Sequence, residues 1–133
     1  MPAALPEQPR KRPVQSRSVH TVDAIVQAGI QVLLTHGAER LTTTRVAERA
    51  GVSVGTLYQY FPNKASLLAF ALSRHLESVV DAVEAACARG RGSPLAIVAA
   101  EATGAFVDAK FADPDTSRAL YAIGPELGAA RIV

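Results

Sequence analysis

The chain of 133 residues has no tryptophan, only three tyrosines and four phenylalanines, and a single cysteine, Cys87. One cysteine excludes an internal disulfide framework and suits a reducing compartment, so a cytoplasmic location is expected. Apolar residues make up 49% of the chain, yet no run approaches the roughly 20 needed to cross a bilayer, and the N-terminus lacks the apolar core of a signal peptide. A membrane partner is therefore not expected. Runs of strict apolar/polar alternation are missing too, while Ala, Leu and Val recur at threes and fours, which predicts an all-α fold. The polar groupings that catalysis needs are absent as well. His20, His36 and His75 are scattered and have no metal-ligand partners at helical spacing. Gly51 to Thr56 lacks the Gly-Lys-Ser/Thr ending and the preceding strand of a phosphate loop. Cys87 falls on an apolar stripe and reads as a small core residue rather than a nucleophile. No enzyme, metal or cofactor is expected.

What the chain does contain is concentrated between Thr42 and Lys64. Val46, Ala47 and Ala50 give a short helix one small apolar face, with Thr42 or Thr43 ahead of it as N-cap. Gly51 stops that helix, because glycine adopts the left-handed conformation without a Cβ penalty, and Val52 closes the corner. Ser53 then caps a second helix in which Leu57, Tyr60 and Phe61 form the buried side. Ala47 sits where the two helices cross, and a larger side chain there would push them apart. Two short helices joined by a glycine turn at these offsets form a helix-turn-helix, whose second helix lies in the DNA major groove.

The flanking segments supply what two short helices cannot bury alone. A first helix is predicted from about Ser18 to His36, with Val22, Ile25, Val26, Gly29, Ile30 and Leu33 along one stripe and Gly37 as its stop. Asn63 is the expected N-cap of a long helix from Lys64 to about Ala88, striped by Leu68, Leu72, Leu76, Val79, Val83 and Cys87. Ser93 and Pro94 start a fifth helix that runs to Ala112. Asp113-Pro114 starts a sixth that ends near Gly124-Pro125. Residues 1–17, with four prolines and Arg10-Lys11-Arg12, read as a disordered basic arm, either touching phosphates or the minor groove or serving as an unstructured leader. Residues 1–64 hold eight Lys or Arg against four Asp or Glu, and the remainder holds six against eight. Positive charge thus gathers in the half that carries the motif, as polyanion binding requires, although solvated helix faces give a similar bias.

The exposed side of the second motif helix offers groups for both kinds of DNA contact. Gln59 can make a paired hydrogen bond to adenine, Val54 and the Thr56 methyl can touch thymine methyls, and Gly55 keeps the helix thin. The same glycine also reads as a tolerated blemish. Tyr58 carries a hydroxyl on a rigid ring, suited to a phosphate. Tyr60 shares that chemistry, but its spacing from Leu57 also places it in the core. Lys64 stands at a helix N-terminus, where the dipole disfavours a cation and favours an anion. Arg45 can reach a base or a phosphate, and Arg49 reads as a solvated face.

At these residues the chain resembles the TetR family of bacterial transcriptional repressors, most closely in Thr56-Leu57-Tyr58-Gln59-Tyr60-Phe61-Pro62-Asn63-Lys64 and over residues 19–88. The resemblance implies a three-helix DNA-binding domain at residues 18–64, a long connecting helix, and a partial C-terminal helical bundle at 65–133 for regulation and dimerisation. It assigns phosphate contacts to Thr43, Tyr58, Tyr60 and Lys64. Thr44, Arg45, Val54, Gly55, Thr56 and Gln59 match base-facing or groove-edge positions. It implies that the full-length protein is a homodimer on a palindromic operator in double-stranded DNA, released by a small-molecule effector, for which His75, Phe106, Phe111 and Tyr121 are candidate contacts. Family members continue through further helices, two of which form the dimer interface, so the chain is expected to be a fragment. The alternative is a helical small-molecule sensor or protein-interaction module that does not read DNA specifically.

Overall fold

A computed structural model describes residues 8–131, with side-chain surroundings for residues 16–127. The described residues form six helices: α1 (Gln8–His36), α2 (Thr43–Ala50), α3 (Val54–Tyr60), α4 (Lys64–Arg89), α5 (Leu95–Phe111) and α6 (Pro114–Arg131). The all-α expectation holds. The chain divides into two compact units, residues 1–64 and 65–133.

In the first unit, α1 lies against α2 and α2 against α3. Ile25, Val26, Ala28, Val32 and Leu33 from α1 share a core with Leu41, Val46, Ala47, Leu57 and Phe61. Gly37 ends α1 in the left-handed region at φ 80°, and its N–H returns to the Leu33 carbonyl at 2.9 Å. The helix begins earlier than its apolar stripe indicated. Residues 8–17, read above as part of a disordered arm, are helical, and residues 1–7 lie outside the described residues. Pro9 falls in the first turn, where its missing N–H costs nothing, whereas Pro13 lies inside the helix and removes a backbone donor, so neither propensity nor apolar periodicity marks this extension.

The second unit takes its core from Leu67, Leu68, Ala71, Val79 and Ala86 of α4 with Leu120 and Ile123 of α6. Here the phase of the α4 stripe differs from the expected one. Leu76 is 42% exposed and Cys87 is exposed, while Ala86 is buried. The buried positions 79 and 86 repeat at seven, and a residue one step beyond such a position is turned about 100° away. Cys87 is therefore a surface thiol and not a core residue.

Two boundaries also move. Pro94 is the N-cap residue of α5 rather than its first helical residue. α6 does not stop at Gly124-Pro125 but continues through Pro125 to Arg131. Pro125 removes one backbone donor, and burial of Leu120 and Ile123 just before it holds the helix to its axis. The start of α6 is as expected. The Asp113 carboxylate accepts from the Thr116 backbone N–H at 3.2 Å and from its hydroxyl at 2.6 Å. Those bonds, the hydroxyl's foremost, hold Asp113 below its ordinary carboxylate range against a small opposing effect of desolvation, with a lesser contribution from His75.

Candidate nucleic-acid interface

The angle between α2 and α3 is set by local bonds. Thr42 caps α2 by accepting from the Arg45 N–H at 3.2 Å. At the other end Gly51 takes φ 74°, its N–H bonds the Glu48 carbonyl, and the Val52 N–H reaches the Ala47 carbonyl at 3.0 Å. That pair of returns is a Schellman closure, which turns the chain sharply after one left-handed residue. Ser53 then caps α3, accepting from the Thr56 N–H at 3.0 Å and donating to the Thr56 hydroxyl at 2.8 Å. Leu57, fully buried, pins α3 beneath Val46 and Ala47.

With α3 held by its Leu57 side, Gly55, Tyr58 and Gln59 are exposed, and Val54, Thr56 and Tyr60 are half-buried. On α2, Thr44 and Arg45 are exposed and Thr43 half-buried. The two helices meet again at their outer edge, where the Thr43 hydroxyl and the Tyr58 hydroxyl lie 2.9 Å apart. Two hydroxyls carry two hydrogens and their mutual bond uses one, so the pair can still donate to an anionic oxygen. Tyr58 is 47% exposed, so when Thr43 donates in the mutual bond the Tyr58 hydroxyl hydrogen is accessible.

Two cations expected at this surface are anchored by backbone carbonyls of the α1–α2 loop. Lys64 donates from Nζ to the Ala38 carbonyl at 3.1 Å, and Arg45 donates from Nη1 to the Arg40 carbonyl at 3.3 Å. Both carbonyls are neutral, so the positive charges are oriented without being cancelled. The anchoring also explains how a lysine is accommodated at the start of α4, where the helix dipole disfavours it. Arg49 donates from Nε to Gln31 Oε1 at 2.7 Å, which makes it a bridge between α1 and α2 rather than a merely solvated side chain. No spacing rule pointed to that bridge, since its partners lie eighteen residues apart.

The candidate effector residues lie in the second unit, and the structure brings some of them together. His75 and Tyr121 meet edge to face with ring centroids 5.6 Å apart. The Lys110 ammonium lies 5.0 Å from the Tyr121 ring centroid and 5.5 Å from that of Phe106. Ser117, buried and not anticipated, donates to the Lys110 carbonyl and lies 3.0 Å from His75 Nε2. Since that hydroxyl has one hydrogen, the histidine is the donor in the second bond and carries its proton on Nε2. Phe111 stands apart, 59% exposed. Among the described residues no group of His, Cys, Asp and Glu could hold a metal, and no helix is long and apolar enough to cross a membrane.

Comparison with known proteins gives this geometry its context. The transcriptional repressor KstR of Mycolicibacterium smegmatis is 43% identical over 70 residues, which is 53% of this chain and 34% of the repressor. The nucleoid occlusion factor SlmA of Haemophilus influenzae is 36% identical over 70 residues, 53% of this chain and 30% of that protein. The chain thus spans about a third of the length of these relatives. A TetR family transcription regulator from Marinobacter aquaeolei superimposes with a TM-score of 0.71 over 87% of this chain and 63% of its own, at 22% identity, a likeness of fold. The family model for bacterial regulatory proteins of the tetR family matches residues 25–70, spanning the buried half of α1, all of α2 and α3 and the first turns of α4. With the helix-turn-helix and the all-helical fold in agreement, residues 25–70 of the chain carry the N-terminal region of the tetR family of bacterial regulatory proteins.

Proposed function

We propose that this chain is the DNA-reading part of a sequence-specific transcriptional regulator, a repressor that at full length binds a palindromic operator as a homodimer and is released by a small-molecule effector. The observation that carries the reading is the Thr43–Tyr58 hydroxyl pair at the open edge of α2 and α3. It joins the two helices through groups whose remaining hydrogen suits a phosphate oxygen, beside the anchored Lys64 and the exposed Gln59. In this reading Thr43, Tyr58, Tyr60 and Lys64 fix the register on the backbone. Thr44, Val54, Gly55, Thr56 and Gln59 take base-facing or groove-edge positions, and Arg45 stands at the groove edge within reach of a base or a phosphate. The likeness to KstR, named a transcriptional repressor, supports repression over activation. The cluster of His75, Tyr121, Lys110 and Phe106 supports an effector contact within the second unit.

Selection from a random pool of duplex DNA at near-physiological salt tests the proposal. A recovered palindrome supports both base reading and pairing of two copies. Failure to enrich any sequence would overturn the reading.

A further inference from the structure

We propose that the cleft between α1 and α2 is a second phosphate-binding surface, gripping the DNA backbone beside the stretch that α3 reads; this rests on the DNA-binding function proposed above. The cleft has a volume of about 440 Å³ and is lined by Val32, Thr35 and His36 of α1 with Arg45, Glu48 and Arg49 of α2. Arg45 and Arg49 are one helical turn apart and so share a face. Each guanidinium is oriented by a neutral acceptor, Arg45 by the Arg40 carbonyl and Arg49 by the Gln31 amide oxygen. One donor is used in each anchor, and the remaining N–H groups keep their charge and their geometry for a phosphate.

The relation to Glu48 separates this from an ordinary solvated helix face. Glu48 lies three residues after Arg45, a spacing at which an intrahelical ion pair can form, and next to Arg49, a spacing at which it does not. Among the described residues neither arginine is ion-paired, with Glu48 or with any other carboxylate. The cleft therefore presents two oriented guanidinium groups outside ion-pair distance of Glu48, with a net charge of about +1 once the carboxylate is counted. It lies on α2, the helix that crosses the DNA backbone when the following helix occupies the major groove. Phosphates outside the bases read by α3 are the anions that such a face meets.

The test is a salt series of binding affinities for the whole chain on its selected duplex, using R49Q, R49K, E48Q and K64Q. Each lost phosphate contact lowers the slope of log affinity against log salt by about 0.9. R49Q is expected to lose about three- to fourfold less affinity than the unsubstituted chain between 50 and 200 mM salt, and R49K is expected to restore the slope. E48Q is expected to tighten binding without altering the preferred sequence, which supplies a gain-of-affinity arm should R49Q fold poorly. Trimming the base pairs that flank the site should erase the difference between R49Q and the unsubstituted chain. If R49Q keeps the full slope while K64Q loses its share, the cleft does not touch DNA and the inference fails alone. If the unsubstituted chain shows no salt-dependent binding, the DNA-binding proposal itself fails, and the cleft with it.

Discussion

Gly55 has open space around it. A Cβ built there would meet nothing nearer than Ser53 Oγ at 3.9 Å, and its φ is not in the left-handed region. Neither packing nor backbone conformation requires glycine at this place in α3, and in a helix it costs about 1 kcal/mol relative to alanine. On the proposed DNA-binding reading, close approach of the duplex accounts for it. Gly55→Ala is accordingly expected to raise thermal stability by up to about 1 kcal/mol while weakening DNA binding. Stability from a melting curve and affinity for the selected duplex should move in opposite directions, and a stabilised protein with unchanged affinity would show that Gly55 is only tolerated. Tyr58 gives a second test at this scale. Tyr58→Phe keeps the ring and removes the partner of Thr43. Affinity should fall about equally for every sequence, by roughly 1.5–3 kcal/mol for one hydrogen bond to a charged acceptor, with the preferred sequence retained. A changed preference would move Tyr58 from the backbone-contacting group to the base-reading one.

The individual helices show why some features were legible in the sequence and others were not. The junction of α4 with α5 depends on close approach: a Cβ at Gly90 would stand 2.9 Å from Val98 Cγ2. Valine is stiff at χ1, so Gly90→Ala should cost about 1–3 kcal/mol as an overpacked contact, measurable as a lower denaturant midpoint. An unchanged midpoint would mean that Val98 moves freely. The cap of α6 gives a pH-dependent case. Asp113 is held below its ordinary range, so its stabilising contribution is complete above about pH 4, the unfolded value, and is lost as pH falls through the folded one. Asp113→Asn keeps a good capping residue but cannot titrate, so its stability should change less than that of the unsubstituted chain below pH 4. Equal acid sensitivity in the two proteins would remove Asp113 as the cause. Features such as this cap, the Thr42 and Ser53 caps and the Gly51 turn are encoded within three or four residues, which is why α2, α3 and the start of α6 were readable directly. The depth of the α4 stripe at Ala86 instead of Cys87 and the passage of α6 through Pro125 depend on packing, and the early start of α1 passes through Pro13, so none of the three leaves a local mark. The candidate site divides in the same way. Exposure of Tyr58 and Gln59 follows from the burial of Leu57. The anchoring of Lys64 on Ala38 and of Arg49 on Gln31 joins residues 26 and 18 positions apart, and only the fold shows it.

For the whole molecule, the formal charge of +2 is a poor guide to DNA affinity, because the surplus of basic residues lies in residues 1–64 and the remainder carries more acids than bases. Attraction to the duplex should therefore scale with the number of copies of the first unit that engage it. Lys64, Arg45 and Arg49 are the oriented cations of one such unit. If all three neutralise phosphates, a single half-site should give a salt slope of at least about 2.7 in magnitude. Two copies on a palindrome, with recognition helices about 34–36 Å apart, should give about twice that value. The doubling is the sharper expectation, because it cancels any further cation that each unit contributes equally. It can be measured on the full-length protein by comparing salt slopes for one duplex carrying both half-sites and another in which one half-site is scrambled. Inserting about five base pairs between the half-sites supplies the control, since it rotates them to opposite faces of the duplex and should return the slope to the single-site value. Equal slopes on the intact and scrambled duplexes would show that one copy reads DNA alone, and would overturn the proposed homodimer while leaving the reading face of α3 intact.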